Sequence, residues 1–215
     1  KFNNNNWEPI NTGLNSSVLP PTDSYVGRSI STIKDTDEKL YIAYTIEGLN
    51  QVYVKTYLPG FFWTNNGGGY ATIAIEGGEK TMRIDMAEGR KVIVGRPDAT
   101  VGGSGRKGFV RVVDIDDSTT IGSDIVGYGG NDRFGASVAI NKTGTVIAAA
   151  NGSPAWTGGH NGYSGASRFY VRVFGLSNNS WVQMGSDIED AGQIYSEGSI
   201  ALNDDGTILA VGTPG

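Results

Sequence analysis

Few residues of this sequence could act as catalytic groups. The 215 residues include one histidine, His160, and no cysteine, and no serine stands in a motif that would expose it as a nucleophile. Neighbouring carboxylates such as Glu76 with Glu79, or Asp114 with Asp116, are typical of solvated turns. Because no nucleophile can be matched with a base, the sequence predicts a protein that is not an enzyme.

A glycine-rich segment, residues 151–167, holds the side chains best suited to binding. It contains Trp156, His160 and Tyr163, and aromatic rings with polar groups beside them can stack against a sugar or hold a peptide side chain. Loops commonly carry such contacts. The alternative is that Trp156 folds back over a sheet and that the glycines only permit tight turns.

A second glycine-rich segment, residues 98–107, ends in two basic residues, Arg106 and Lys107. Together they could cradle a phosphate. Phosphate sites on glycine-rich loops use a strand-to-helix turn, however, and the pattern here contains none. Arg106 and Lys107 are therefore candidate ligand-binding residues for which the sequence indicates no ligand.

The composition limits the partners of the chain. Its net charge is −5 and its isoelectric point is about 4.9, whereas nucleic acids and anionic membrane surfaces favour a basic face. No apolar run approaches the roughly 18 residues of a membrane span, and the residues after Lys1 do not form a signal peptide. We therefore expect a protein or glycan partner, no nucleic acid and no membrane span.

Short runs of alternating or continuous apolar residues dominate the sequence. Glycine, asparagine, aspartate and serine separate them, and no segment keeps the apolar spacing of a helix over three turns. Such runs with polar turns between them are typical of all-β proteins. The main runs lie at 39–46, 51–58, 70–76, 81–86, 91–95, 109–115, 136–141, 145–150, 168–174 and 198–203.

The predicted strands recur as a repeat. The apolar strand that contains Val92 matches those that contain Val146 and Ile208, and Trp7 and Trp63 open two equivalent strands. The interval is about sixty residues with about four strands per unit, which is the size of a β-propeller blade. We expect units at approximately 7–62, 63–119, 120–180 and 181–215, the last of them partial.

A basic residue recurs at the centre of one strand of each unit. Arg111 and Arg172 occupy this position, and Lys55 follows the same scheme. Because the position repeats with the fold, we interpret it as structural. We expect these cations to pair with a carboxylate of the following Gly-Ser-Asp-Ile turn, such as Asp124 or Asp187.

Two strings, FGASVAINKTGTVIAAA and SIALNDDGTILAVGTPG, resemble FG-GAP repeats, the blades of integrin-α-type propellers. They are more similar still to the tandem W-x-Q-x-G-x-D-I … A-L-N-x-D-G-T-x-x-A-V-G-x-P repeats of secreted and surface proteins of microbes and algae. The resemblance implies a β-propeller of four-stranded blades, about seven in a complete ring. The chain would be incomplete at both ends, so we expect further blades or other subunits to complete the ring.

The resemblance also implies a candidate calcium site. FG-GAP blades often bind calcium in a D-x-[DN]-x-D-G-x-x-D loop, because a hard cation needs several oxygen ligands on one tight turn. The equivalent turn keeps Asn203 and Asp205 at the third and fifth positions, but Ala201 and Leu209 stand at the first and ninth. With two carboxylates missing, we expect an Asx-type turn satisfied by its own backbone and no cofactor.

Sequons give the remaining candidate sites. Asn15, Asn141 and Asn178 are candidates for glycosylation, and Asn141 and Asn178 fall in predicted turns where a glycan would be exposed. A fourth sequon, at Asn151, is weakened by Pro154. The sequons favour a secreted protein.

Taken with the repeat, these observations favour a non-enzymatic propeller, extracellular or on the cell surface, that serves adhesion, assembly or protein–protein interaction. The alternative is a lectin-like propeller that binds carbohydrate through rim loops, with Trp156 and Tyr163 as stacking residues. A hydrolase on a propeller scaffold is a third interpretation, since propellers carry many chemistries.

Overall fold

A computed structural model of the chain confirms that the fold is all-β. The structure describes residues 2–3, 6–7, 26–34, 40–46, 51–57, 63–65, 73–74, 82–103, 105–152, 169–189 and 198–213. Among them, one 3-10 turn spans Glu88–Arg90. The strands are β1 (Phe2–Asn3), β2 (Asn6–Trp7), β3 (Val26–Lys34), β4 (Leu40–Ile46), β5 (Gln51–Tyr57), β6 (Trp63–Asn65), β7 (Ile73–Ala74), β8 (Arg83–Met86), β9 (Lys91–Arg96), β10 (Phe109–Asp114), β11 (Thr119–Val126), β12 (Ser137–Ile140), β13 (Val146–Ala150), β14 (Tyr170–Ser177), β15 (Ser180–Gln183), β16 (Ile188–Glu189), β17 (Ser199–Leu202) and β18 (Leu209–Gly212).

The strands form five antiparallel sheets in chain order. Sheet 1 is the pair β1–β2 and sheet 5 is the pair β17–β18. Sheet 2 has the order β3-β4-β5-β6, with β7 also beside β5. Sheet 3 has the order β8-β9-β10-β11, and sheet 4 has the order β12-β13-β14-β15, with β16 also beside β14. In the three larger sheets each strand of this order lies next to its neighbour in sequence, so each sheet is a meander.

Strand β9 shows why these sheets stack on one another. Its residues Val92, Ile93 and Val94 are all fully buried, although successive side chains of a strand point to opposite faces. Val92 and Val94 pack against sheet 2, whereas Ile93 packs against sheet 4. A strand that is apolar on both faces must be covered on both, and here the neighbouring sheets cover it.

Three apolar cores lie between consecutive sheets. Full burial of a valine or isoleucine side chain stabilises a fold by about 1.5–3 kcal/mol, so these cores hold the sheets together. Between sheets 2 and 3 lie Tyr41, Ala43, Val52, Val54, Ile84, Met86, Val92, Val94, Phe109 and Val113. Between sheets 3 and 4 lie Ile93, Val110, Val112, Ile125, Phe134, Val138, Ile140, Ile147, Ala149, Tyr170 and Phe174. Between sheets 4 and 5 lie Ala148, Ala150, Phe169, Val171, Ile200, Leu202 and Leu209.

The turns between the first two strands of sheets 3, 4 and 5 are joined by a ladder of hydrogen bonds. The backbone N–H of Glu88 donates to the carbonyl of Lys142 (2.8 Å), and that of Lys142 donates to the carbonyl of Asp204 (3.1 Å). The Lys142 Nζ lies 3.3 Å from Glu88 Oε1 and 3.9 Å from Asp204 Oδ2. The ladder aligns one end of the three sheets.

The strands that contain a tryptophan end a sheet and do not begin one. Trp7 lies on β2, which pairs with β1, Trp63 begins β6, which pairs with β5, and Trp181 lies on β15, which pairs with β14. The sequence units counted from these tryptophans are therefore out of phase with the sheets by one strand. Each unit begins at the outer edge of one sheet and continues into the next.

Candidate functional site

The first candidate site is the basic residue that recurs at the centre of one strand of each sequence unit. Arg111 on β10 and Asp124 on β11 form an ion pair with two contacts, Nε to Oδ1 and Nη2 to Oδ2, each 2.7 Å long. The guanidinium also lies 5.4 Å from the centre of the Phe109 ring. Two-contact pairs are the strong form of arginine–carboxylate interaction, and the pairing predicted for Arg111 is confirmed. The side chain of Lys55 lies outside the described residues.

Arg172 is held differently from Arg111. Its Nε donates to Gln183 Oε1 (3.1 Å) and its Nη1 donates to the carbonyl of Val126 (3.2 Å). Gln183 Nε2 in turn donates to Asp187 Oδ1 (2.7 Å). The expected direct pair with Asp187 is therefore wrong, because Gln183 lies between the two charges and bridges them.

Aromatic rings surround the Arg172 guanidinium. Its central carbon lies 4.6 Å from the ring centre of Tyr128, 4.8 Å from that of Phe174 and 5.3 Å from that of Phe134. A cation above an aromatic face is attracted by the ring quadrupole, more strongly where water is excluded. Because Tyr128 follows sheet 3 and Phe174 belongs to sheet 4, Arg172 joins the two sheets.

An open cleft of about 370 Å³ lies beside Arg172, between β11 and the strands β14 and β15. Its walls include Ser123, Asp124, Ser180 and Trp181. Asp124 is paired with Arg111, so its carboxylate already has a cation. The cleft therefore offers serine hydroxyls and an indole face for hydrogen bonding and stacking, and no nucleophile with a base beside it.

A buried carboxylate that the sequence did not single out organises the turn between sheets 3 and 4. Asp132 is 4% exposed, and its Oδ2 accepts hydrogen bonds from the N–H groups of Tyr128 (2.6 Å) and Gly129 (3.2 Å) and from the Tyr170 hydroxyl (2.7 Å). Burial and the nearby Asp132 raise the pKa of Tyr170. The Gly-Gly-Asn-Asp sequence of residues 129–132 was the available signal for a side-chain-stabilised turn.

Of the candidate binding residues in the two glycine-rich segments, the structure describes those of residues 98–107 only. Trp156, His160 and Tyr163 lie outside the described residues. Arg106 has a side chain that is 59% exposed, and its Nη1 lies 3.7 Å from Asp98 Oδ1.

The Asp98 carboxylate also links this loop to the turn between sheets 3 and 4. Arg133 Nε lies 3.1 Å from Asp98 Oδ1, and Lys107 contributes its carbonyl to a hydrogen bond from the N–H of Phe134 (3.0 Å). A carboxylate thus lies between the two guanidinium groups, Arg106 and Arg133.

The turn that was compared with a calcium loop has the hydrogen bonds of an Asx turn. Asn203 Oδ1 accepts from the N–H of Ile208 (2.8 Å), and Asp205 Oδ1 accepts from the N–H (3.0 Å) and the hydroxyl (2.5 Å) of Thr207. These hydrogen bonds, first of all the one from the Thr207 hydroxyl, lower the pKa of Asp205. The turn thus stabilises itself through its own backbone, as expected.

The sequons differ in accessibility. Asn178 is exposed and, with Asn179, forms a two-residue hairpin loop in which both residues have positive φ, 48° and 57°, as a type I′ turn requires. The expectation that Asn141 is exposed is wrong, because its side chain is buried and Oδ1 accepts from the N–H groups of Thr145 and Val146. Asn15 lies outside the described residues.

Within the described ranges, no three histidine, cysteine, aspartate or glutamate side chains lie together in a way that could hold a metal ion. No helix in the same part of the chain is long and apolar enough to cross a membrane. Comparison of the chain with models of known protein families finds no match, and comparison with curated proteins finds none either.

Proposed function

We propose that the chain is part of a β-propeller, extracellular or on the cell surface, that serves adhesion, assembly or protein–protein interaction and has no catalytic activity. The observation that carries the proposal is the arrangement of sheets 2 to 5. The three larger sheets are antiparallel meanders, and consecutive sheets pack face to face through apolar cores. Propeller blades are likewise four-stranded antiparallel sheets, so the arrangement supports the proposal.

The roles of the described charged residues support binding rather than catalysis. Arg111 is paired with Asp124, Arg172 is enclosed by rings, and Asp132 holds a turn. Each of these groups is engaged with the protein itself. Catalysis would instead require acids and bases whose reactive atoms converge on an open site.

Exposed apolar residues support an interaction surface. Val182 is 54% exposed, Met184 53% and Ile188 47%, and all three lie on the last strands of sheet 4 or directly after them. Exposed apolar groups that cluster in this way are typical of protein–protein contacts. The exposed sequon at Asn178 accords with an extracellular location.

The test is a search for association that needs no catalytic assay. The purified chain, glycosylated by a secretory host, is immobilised and exposed to an extracellular protein fraction and to a glycan array, and its native mass is measured in parallel. We expect a saturable protein or glycan partner, or self-association. A monomer that binds neither would contradict the proposal, as would turnover of a hydrolase substrate panel.

A further inference from the structure

The two arginines at the same repeat position, Arg111 and Arg172, differ in their counterion. Arg111 forms an ion pair with Asp124. Arg172 forms no ion pair with any residue that the structure describes, because the Gln183 side chain binds its Nε and holds Asp187 through its other amide atom. An arginine that lacks the carboxylate present at the equivalent position is a candidate group for binding an anion.

The Arg172 guanidinium keeps donors that the protein does not use. An arginine carries five N–H groups. Two of those of Arg172 are engaged, one at Nε with Gln183 and one at Nη1 with the carbonyl of Val126. Within the described ranges, Nη2 donates to no atom. Unused guanidinium N–H groups bind a carboxylate best, because the two can form a pair of parallel hydrogen bonds.

Arg172 forms part of the wall of the open cleft of about 370 Å³. The walls come from β11 of sheet 3 and from β14 and β15 of sheet 4. These two sheets pack on each other through an apolar core, and that packing fixes the shape of the cleft. Ligand pockets commonly measure about 300–1,000 Å³, so a cleft of this size suits a small ligand.

A tryptophan in the cleft is held in a fixed orientation. The Trp181 Nε1–H donates to the carbonyl of Ile121 (2.8 Å). The edge of its ring lies against Gly122, where an added Cβ would be 2.7 Å from Trp181 Cδ1. The side chain is nevertheless only partly buried, and it lines the cleft. An indole that is fixed before a ligand arrives offers an apolar surface for stacking at little cost in conformational entropy.

The remaining polar groups of the cleft suit a ligand with hydroxyl groups. Ser123 and Ser180 are exposed and line the cleft together with Asp124. A serine hydroxyl both donates and accepts hydrogen bonds. The charge of Asp124 is balanced by Arg111, yet a carboxylate has about four lone-pair sites and can accept from a ligand as well. A ring that carries several hydroxyl groups would satisfy these side chains together.

We propose that the cleft binds a sugar acid, a pyranose ring that carries a carboxylate, with the ring against Trp181 and the carboxylate on the Arg172 guanidinium. Ser123, Asp124 and Ser180 then hydrogen-bond to the ring hydroxyls. An acidic peptide shares only the carboxylate and would leave these three groups without partners, so the sugar is the better match. The assignment rests on the adhesion role proposed above, for which it names the class of ligand.

The experiment follows the indole N–H signals of the 15N-labelled chain while methyl glycosides are added. The chain has four tryptophans, and sequence-specific assignment identifies the signal of Trp181. The ligands are the methyl glycosides of glucuronic, galacturonic and N-acetylneuraminic acid, and methyl glucoside and methyl galactoside are the neutral counterparts. We expect a sugar acid to shift the Trp181 signal saturably. A neutral glycoside should bind at least roughly tenfold more weakly, because it cannot pair with the guanidinium.

Substitutions at exposed positions test the cleft without disturbing the core. Ser123→Glu and Ser180→Glu each add a carboxylate to the cleft, and each is expected to weaken binding of the sugar acid at least roughly tenfold by charge repulsion. Thr100→Glu adds the same charge at an exposed loop residue outside the cleft and is expected to change nothing. Arg172→Lys keeps a cation but loses the paired donors, so it should lose the preference for the acid over the neutral glycoside. Thermal unfolding checks that every variant stays folded.

Several results would overturn the assignment. One is the absence of any shift with all three sugar acids at about 20 mM, and another is a shift of a different tryptophan, such as Trp156, in place of Trp181. Equally tight binding of a neutral glycoside or of N-acetylglutamate amide, or parent-like binding by both serine variants, would also overturn it. A chain that binds a protein partner but no sugar acid would lose this ligand and keep the proposed adhesion role.

Discussion

Arg172→Met tests whether the ring-enclosed guanidinium holds sheets 3 and 4 together. The substitution removes the cation from Tyr128, Phe134 and Phe174 and removes two hydrogen bonds, to Gln183 and to Val126. Loss of a desolvated cation–π contact costs about 2 kcal/mol and loss of a hydrogen bond from a charged donor about 1.5–3 kcal/mol. Methionine recovers about 1 kcal/mol through contact of its sulfur with the rings. With both hydrogen bonds taken at the lower figure, the expected net loss is about 4 kcal/mol.

Arg111→Met is the matched control, because Arg111 occupies the same repeat position. Its two-contact pair with Asp124 is partly solvated, with side chains 26% and 31% exposed, and screening by solvent holds its contribution to about 1–2 kcal/mol, less than the loss expected at Arg172. Urea unfolding followed by tryptophan fluorescence gives the free energy of unfolding for both variants, and Trp181 in the affected core reports the transition. Equal losses for the two variants, or a larger loss for Arg111→Met, would refute the reasoning.

Three further predictions concern packing, pH and modification. Gly95→Ala is expected to lower the free energy of unfolding by about 3 kcal/mol, because a Cβ there would lie 2.1 Å from the Gly135 carbonyl oxygen. Gly89→Ala is the control: a Cβ there would meet no atom within 4 Å, so this variant should lose only the roughly 1 kcal/mol that a left-handed backbone costs. Equal urea midpoints for the two variants would contradict this prediction. Because the pKa of Tyr170 is raised above its ordinary 10.0, only the unfolded state loses that proton just above pH 10, so stability should fall there by about 1.4 kcal/mol per pH unit. Tyr170→Phe should flatten this decline in urea titrations at several pH values, and an unchanged slope would exclude Tyr170 as its source. Expression in a secretory eukaryotic host should glycosylate exposed Asn178 and leave buried Asn141 unmodified, and peptide mass spectrometry that finds the reverse would contradict the structure of the Asn141 turn.

The repeated strands made the all-β fold and the Arg111–Asp124 pair predictable from sequence, because both follow from short motifs. The same motif gave the wrong partner for Arg172, because a longer side chain stands beside the turn in sheet 4. The position two residues before the Gly-Ser-Asp-Ile turn is Thr120 in sheet 3 but Gln183 in sheet 4. Glutamine is long enough to reach the guanidinium and bridge it to Asp187, and the spacing of the charges carries no information about this.

The burial of Asn141 depends on contacts that are distant in sequence. The pattern around Asn141 correctly predicts a turn, yet the neighbouring Lys142 is hydrogen-bonded to Glu88 on one side and Asp204 on the other. Turns of three sheets thus meet at one end of the stack. The local sequence of a single turn does not indicate these contacts with the others. Asp132 was missed for a similar reason, since its partner Tyr170 lies on another sheet.

The placement of the cores between sheets, rather than within them, has a consequence for how the chain folds. No sheet of the described stack can complete its own core, so each gains stability only when its neighbour docks, as repeats do in a one-dimensional array. Folding should then advance from sheet to sheet, and the end of a growing stack is always an uncovered apolar face. Such a face is a hazard for aggregation during synthesis, and it is also a surface to which the next repeat, or another molecule, can add.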